Sequence, residues 1–149
     1  MTQLHPYLSF EKAKDAIEYY EDVFGATNVN RLAVGEEQAE NFGLTKDQAD
    51  EATMHADFEI LGVKILCSDS FGRVENINNG ISLLIDYDVN DKDDAERVEN
   101  FYDRIKDHES LNIEMPLAEQ FWGGTMGAFT DKYGVRWMLN GQDYSKMNK

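Results

Sequence analysis

The stretch MPLAEQFWGGTMGAFTDKYGVRWMLN, residues 115–140, is the part of the chain from which the fold is most directly predicted. It contains an aromatic pair, Phe121 and Trp122, followed by two runs in which apolar and polar residues alternate. Alternation with a period of two is typical of a half-buried strand, and the Asp-Lys-Tyr-Gly sequence between the runs is typical of a turn. The stretch therefore predicts a β-hairpin with strands at residues 125–130 and 135–140.

The two halves of the chain carry the same order of predicted elements. Each half begins with a strand, continues with an amphipathic helix and ends with three further strands, so each is a βαβββ module. Polar and turn-forming residues at 70–80 separate the halves. The sequence predicts an α+β fold in one domain, 1–149, with module one at about 1–70, module two at about 81–141 and a short C-terminal tail. The predicted elements are a strand at 4–10, a helix at 12–24, a strand at 28–34 and a hairpin at 53–69, then a strand at 81–86, a helix at 91–107 and strands at 112–117, 125–130 and 135–140.

The periodic pattern is interrupted at residues 35–52, which are acidic and rich in helix formers. This composition predicts a solvated loop with a short helix. Two roles stay open for the segment. It would either cover the mouth of a binding site or be a charged surface insertion with no part in binding.

The overall charge excludes several classes of partner. The chain has 14 basic and 29 acidic residues, a formal charge of −15, so nucleic acids and anionic membranes would be repelled. No apolar run approaches the length of a membrane span, and the first residues lack the pattern of a secretory signal, so a cytoplasmic location is expected. The single cysteine, Cys67, is predicted to be a small buried residue on a strand.

Motifs spread along nearly the whole chain resemble those of a known family. They are Pro6-Tyr7-Leu8-x-Phe10, Ala16-Ile17-Glu18-x-Tyr20 through Val23-Phe24-Gly25, Met54-His55-Ala56 with Gly62, Ser68-Asp69-Ser70, and Pro116-Leu117-x-Glu119-x-Phe121-Trp122-Gly123 through Asp131-x-Tyr133-Gly134-x-x-Trp137. Together with the duplicated βαβββ order, they resemble the vicinal oxygen chelate superfamily, also called the glyoxalase, bleomycin-resistance and extradiol dioxygenase group. The more local match is to its PhnB-like branch.

This resemblance implies an architecture and a place for a ligand. The two modules would form a cup-shaped half-barrel with the helices on its outer face. The concave face would hold a small molecule, often on a divalent metal carried by the first and last strands of each module. Members of the superfamily often pair across a two-fold axis, so a homodimer is also implied.

The chain departs from the family's usual metal ligands. His5 matches the position of the first metal-binding histidine in many members. Met138, however, stands where the resemblance implies a carboxylate, and a thioether is a poor ligand for a hard or borderline divalent ion. Residues 80–82, where another histidine is common, are Gly-Ile-Ser. The usual metal set is therefore not present.

Six residues are candidates for a ligand pocket because strand parity or position at the rim places them on the side away from the helices. They are Tyr7, Ser9, His55, Phe121, Trp122 and Met138. Trp137 shares parity with Val135 and Leu139, so it is predicted to lie in the core between sheet and helix. For Trp122, packing in the core or at a dimer interface stays open beside contact with a ligand.

An alternative metal set is two histidines and a carboxylate, with His5, His55 and Glu119 as the nominated ligands. It would hold Zn, Fe, Mn or Ni. The same residues would otherwise be hydrogen-bonded polar groups that line a cavity, because nothing in their spacing forces them together.

Two functions follow from these observations. The first is a protein that binds a small organic molecule in its cup without the usual metal set. The second is a metal-dependent lyase, isomerase or dioxygenase that polarises its substrate with an ion on His5, His55 and Glu119. No cofactor is certain, and neither the ligand nor the pathway follows from the sequence.

Overall fold

The computed structural model describes residues 1–73, 77 and 80–146. The chain divides into two compact units, Met1–Asn76 and Ile77–Lys149. The division falls within the predicted linker at 70–80. Residues 74–76, 78 and 79 of that linker lie outside the described residues.

The first unit contains a four-stranded sheet with the strand order β1-β4-β3-β2. Its elements are β1 (Tyr7–Phe10), α1 (Ala13–Phe24), β2 (Thr27–Ala33), α2 (Glu36–Asn41), α3 (Lys46–Glu51), β3 (Thr53–Ile60) and β4 (Val63–Asp69). β1 runs parallel to β4, and the other neighbours are antiparallel. A parallel pair needs a long crossover connection. Here the connection is the rest of the module, because β1 and β4 are its first and last strands.

The second unit repeats this topology with the order β5-β8-β7-β6. Its elements are β5 (Ser82–Asp88), α4 (Lys92–Ile105), β6 (Asn112–Glu119), β7 (Thr125–Thr130), β8 (Arg136–Gln142) and a 3₁₀ helix (Tyr144–Lys146). β5 is parallel to β8, as β1 is to β4. The predicted α+β class with two βαβββ modules is therefore confirmed.

In the first unit, α1 covers one face of the sheet. Tyr20 stacks on Phe58 of β3 with ring centroids 5.4 Å apart and planes at 20°, and both rings are completely buried. Burial of a large side chain of this kind stabilises a fold by about 2 kcal/mol. Asp69 joins the helix to the sheet, because its carboxylate accepts a hydrogen bond of 2.8 Å from the backbone N–H of Ala13. The helix ends at Gly25, whose φ of +71° suits glycine.

Cys67 is fully buried on β4, which confirms its prediction as a core residue. Burial raises the pKa of its thiol to about 12, and the nearby charges of Asp69 and Asp57 act in the same direction. Among the described residues, no helix is both long and apolar enough to cross a membrane.

In the second unit, Val135, Trp137 and Leu139 are buried, which confirms their predicted parity. The buried carboxylate of Asp131 organises the turn before β8. It accepts hydrogen bonds from the backbone N–H groups of Tyr133 and Val135 at 2.8 and 3.1 Å, and from the indole N–H of Trp137 at 2.9 Å. One side chain thus joins the turn to the largest core residue of this unit.

Two predictions about local structure are wrong. The first strand starts at Tyr7 instead of Leu4, because Pro6 has no N–H to donate to a neighbouring strand, and Leu4 is 97% exposed. Residues 35–52 form the two helices α2 and α3 where one short helix was expected. Thr45 caps α3 through a reciprocal pair of hydrogen bonds with Gln48, which explains why a second helix begins there.

Replacing Asp131 with alanine should lower the free energy of unfolding by about 3 kcal/mol, because buried donors would lose their acceptor. Urea denaturation followed by tryptophan fluorescence measures the change. Asp131→Asn is the matched control, since it keeps the size of the side chain and one acceptor oxygen. It should lower the free energy of unfolding by less than Asp131→Ala does. A loss below about 0.5 kcal/mol in Asp131→Ala would contradict the assignment.

Candidate functional site

In each sheet, the strand residues that alternate with the core form a second face, which we call the helix-free face. In the first unit the register places Tyr7 beside Leu66 and Leu66 beside Asp57. These residues alternate with Ile65, Cys67 and Phe58, which are buried beneath α1. Tyr7, Ser9 and His55 therefore share the helix-free face of the first unit, as their parity predicted, and their contact with a ligand stays a prediction.

Tyr7 and His55 meet across the intervening strand β4. The phenolic oxygen of Tyr7 lies 3.1 Å from Nδ1 of His55, and the ring centroids are 5.7 Å apart. If the phenol donates this hydrogen bond, the proton of a neutral imidazole lies on Nε2. The pair places a donor and acceptor of known geometry on the helix-free face.

Ser9 lies at the end of β1 beside Ser68 of β4. Its hydroxyl oxygen is 3.5 Å from a terminal guanidinium nitrogen of Arg73. Ser9 therefore connects the helix-free face to the turn that follows β4.

His5 lies before β1, and an oxygen atom lies near each of its two ring nitrogens. Its Nε2 is 2.9 Å from the side-chain oxygen of Gln3, and its Nδ1 is 3.4 Å from the backbone oxygen of Lys64. A metal ion at either nitrogen would have to displace one of these partners. The structure thus joins Tyr7 with His55, and it ties His5 to the N-terminal residues and to the start of β4.

In the second unit, Met138 lies in an apolar row that crosses the helix-free face. The register places it between Leu84 of β5 and Ala128 of β7. Met115 of β6 continues the row beside Ala128. Leu84 is 48% exposed, although it is an aliphatic residue in the middle of a strand. We call Leu84, Met138, Ala128 and Met115 the apolar row.

Polar groups border the apolar row on both sides. On one side, Arg136 donates from Nε to Glu114 at 3.0 Å and from a terminal nitrogen to Ser82 at 2.9 Å. Hydrogen bonds from Thr130 and then Arg136 lower the pKa of Glu114. This carboxylate is therefore already paired within the face.

On the other side, the carboxylate of Asp86 collects three donors. It accepts hydrogen bonds of 2.9 Å from the amides of Asn140 and Gln142 and one of 2.7 Å from the phenol of Tyr144. The sequence prediction missed this group. The alternation in β5 places Leu84 and Asp86 on the same side as Ser82, and that signal was sufficient to find them.

Phe121 and Trp122 occupy the turn between β6 and β7. The turn is closed by hydrogen bonds between Gln120 and the two following glycines, and Gly123 adopts a φ of +94°. Phe121 is 97% exposed and Trp122 is 54% exposed. Trp122 therefore does not pack in the core of its own unit, and its contact with a ligand or at a dimer interface stays a prediction.

Trp122 lines a cleft of ≈ 500 Å³ in the second unit. A Cβ atom at Gly124 would lie 3.0 Å from its indole nitrogen and 3.2 Å from the backbone oxygen of Gly141, so a glycine lets the indole lie against the chain. The other lining residues are Gly123, Gly124, Asn140, Gln142, Asp143 and Lys146.

The nominated metal ligands are divided between the two units. His5 and His55 belong to the first unit, and Glu119, at the exposed end of β6, belongs to the second. Over residues 1–73, 77 and 80–146, no three His, Cys, Asp or Glu residues are grouped so that they could hold a metal ion. Met138 and the paired carboxylates of Glu114 and Asp86 do not fit the usual metal set either. The alternative set stays a prediction.

Comparison with known proteins agrees with this arrangement of sheets. The family model described as 3-demethylubiquinone-9 3-methyltransferase matches residues 2–140. Protein YjdN of Escherichia coli (strain K12) is 33% identical over 144 residues, which cover 92% of this chain and 93% of that protein. The structure of the PhnB protein from Bacillus cereus aligns with a TM-score of 0.61 and 21% identity, and covers 95% of this chain and 100% of that chain.

A mutant of the fosfomycin resistance protein FosX from Listeria monocytogenes, in complex with Mn(II) and dihydroxypropylphosphonic acid, aligns with a TM-score of 0.60. It is 15% identical, and the alignment covers 99% of each chain, so this likeness shows the fold alone. The fold is that of the vicinal oxygen chelate superfamily. Within it, the chain belongs to the PhnB-like family described as 3-demethylubiquinone-9 3-methyltransferase.

Asp86→Asn should lower the pKa of Tyr144 from about 12 toward the ordinary value of 10.0, because the hydrogen bond to the Asp86 carboxylate is the main cause of the raised pKa. The raised pKa favours the protonated phenol in the folded state. The stabilisation of the folded state by this hydrogen bond is therefore complete below pH 10 and is lost as the pH rises through about 12.

An ultraviolet titration of tyrosinate measures this shift. Tyr144→Phe should remove the late-titrating group, whereas the pKa of Tyr87, which burial raises, should be the same in both variants. Superimposable titration curves for the wild type and Asp86→Asn would contradict the contact.

Proposed function

We propose that this protein binds a small, largely apolar organic molecule on the helix-free face of its second unit, in the manner of a bleomycin-resistance-type protein and without the usual metal set. Membership of the PhnB-like family supports a protein of this general type. The observation that carries the proposal is the apolar row. At the position where the resemblance implies a metal carboxylate, Met138 lies between Leu84 and Ala128.

The chemistry of the row suits an organic ligand. Methionine side chains are flexible and polarizable, so Met138 and Met115 would adapt to an irregular apolar surface. Binding sites for small molecules combine such surfaces with a few polar groups that fix orientation. The bordering groups at Arg136 and Asp86 would serve this purpose.

The helix-free face of the first unit is more polar. Beside Tyr7 and His55, the carboxylate of Asp57 accepts a hydrogen bond of 3.1 Å from Asn30. We propose in addition that the Tyr7 and His55 pair recognises a polar group of a ligand bound on the helix-free face of its own unit. This assignment gives a role to a hydrogen-bonded pair whose two residues lie outside the core.

A binding experiment with Nile red, a neutral apolar dye, tests the apolar row. The wild type should bind the dye, and Leu84→Glu and Met138→Glu should weaken binding about tenfold, because a carboxylate would be placed against apolar surface. Dye fluorescence in a titration measures the affinity.

Ile81→Glu is the matched control, because Ile81 is an exposed aliphatic residue that precedes β5 and the substitution adds the same charge. It should change the affinity less than about twofold. Equal affinities for all four proteins would refute the proposal.

A second candidate function is the metal-dependent lyase, isomerase or dioxygenase. The contact between Tyr7 and His55 favours it in the tautomer in which Nδ1–H of His55 donates to the phenolic oxygen, since donation from one ring N–H is the usual way in which a metal-binding histidine is oriented. The metal would polarise oxygen atoms of a substrate.

Elemental analysis of the purified native protein separates the two functions. The first proposal predicts far less than one transition metal ion per chain. About one equivalent per chain, lost both by chelation and in His55→Ala, would overturn it and support the metal enzyme. His108→Ala is the control, because His108 bonds with Ser110 after α4 and takes no part in either site.

The homodimer stays part of the proposal. The exposed aromatic pair at Phe121 and Trp122 supports it, because such residues are enriched at interfaces between proteins. Sedimentation equilibrium should therefore give twice the mass of the chain, and a monomer at micromolar concentration would count against it.

A further inference from the structure

The segment between β2 and β3 is a packed part of the first unit. Its two helices bury a small cluster made of Val34, Ala39, Ala49 and Ala52, with Leu44 and Met54 beside it. At the base, the backbone N–H of Val34 donates to the oxygen of Ala52 at 3.2 Å. This packing excludes a purely solvated loop.

Two polar contacts tie α3 to the rest of the unit. Lys14 of α1 donates to Glu51 at 2.8 Å, and this hydrogen bond and the lysine charge lower the pKa of Glu51. Arg31 of β2 donates to the backbone oxygen of Asp50 at 2.9 Å. The segment therefore holds a defined position against the sheet.

The tip of the segment brings Phe42 onto Phe71. The rings stack with centroids 4.6 Å apart and planes at 16°. They remain 42% and 38% exposed. Phe71 also adopts a φ of +52°, which costs a bulky residue about 1 kcal/mol or more. Covering a surface does not require an exposed aromatic stack that includes a strained residue. The stack therefore indicates a further role.

The stack forms one side of a cleft of ≈ 600 Å³, which is within the range for small-molecule sites. The cleft is lined by Ser9, Glu11, Phe42, Leu44, Ala52, Asp69, Ser70, Phe71, Gly72 and Arg73. All of these residues belong to the first unit.

The charges in the cleft favour a cation. Glu11 and Asp69 contribute two carboxylates, and Arg73 contributes one guanidinium that already contacts Ser9. The formal charge of −15 on the whole chain adds to this preference. Aromatic faces attract cations as well, because the ring quadrupole is negative above the plane.

We propose that this cleft is a binding site for a planar organic cation, which places its ring against the Phe42 and Phe71 pair and its charge toward Glu11 and Asp69. The site does not depend on the function proposed above, because it shares only Ser9 with the helix-free face. The α2–α3 segment then acts as a wall of the site.

N-methylquinolinium is a suitable probe, with quinoline as its neutral analogue and quinaldate as its anionic analogue. The wild type should bind the cation at least about tenfold more tightly than either analogue, and added salt should weaken this binding. Isothermal titration calorimetry measures the three affinities. A protein that binds all three equally, or binds none, would overturn the proposal.

Variants locate the site. Phe42→Leu should weaken binding of N-methylquinolinium about tenfold, and Phe42→Tyr should retain it, because tyrosine keeps the aromatic face. Glu11→Gln should weaken binding severalfold. Glu37→Gln removes the same charge from the exposed face of α2, outside the cleft, and should leave the affinity unchanged.

Leu84→Glu separates this proposal from the function proposed above, because it should weaken Nile red binding about tenfold without weakening the binding of N-methylquinolinium. Circular dichroism checks that each variant is folded. Glu11 is an exposed residue, so Glu11→Gln tests the site even if Phe42→Leu is unstable. Unchanged affinity in Glu11→Gln together with equal affinities for Phe42→Leu and Phe42→Tyr would refute the site.

Discussion

Burial of one face of each four-stranded sheet beneath its own helix is the constraint on which the rest of the structure depends. In the first unit, Tyr20 of α1 stacks on Phe58 of β3. In the second, α4 supplies Val98, Tyr102 and Ile105, which are buried together with Trp137 and Leu139 of β8. Because side chains alternate along a strand, every residue placed in the core commits its neighbours to the other face. The candidate site is therefore a direct consequence of the core.

The two helix-free faces differ in polarity. The first carries hydrogen-bonded polar pairs, such as Tyr7 with His55 and Asn30 with Asp57. The second carries an apolar row bordered by carboxylates that are already satisfied by nearby donors. A carboxylate held in this way is fixed in position, and it has fewer lone pairs to offer to an incoming ion. In the proposed function, the apolar row and its bordering groups recognise an organic molecule.

Much of the fold was predictable because local patterns and the core agree. The helix before Gly25, the hairpin around Gly62 and the parity of Trp137 all followed from periodicity and turn residues. The first strand was predicted too long because alternation continues through Pro6, whereas pairing requires an N–H. The presence of a second helix within residues 35–52 was missed, although Thr45 and Gln48 form a recognisable capping box.

The candidate site was less predictable than the fold. Parity indicated that Tyr7, Ser9 and His55 share a face, but no local feature shows that Tyr7 reaches His55 across β4. The stack of Phe42 on Phe71 joins residues that are far apart in the chain and lie in segments without clear periodicity. Such contacts depend on strand order and on the packing of α2, which act over long range.

By itself, the sequence determined the α+β class, the duplicated βαβββ order and the face of the strand that residues such as Cys67 and Trp137 occupy. It did so because hydrophobic periodicity and turn chemistry are local properties. Only the tertiary structure decided which side chains meet: Tyr7 with His55, Asp86 with Tyr144, and Phe42 with Phe71. The physical reason is that register and strand order are selected by burial of the whole core, which no single segment contains.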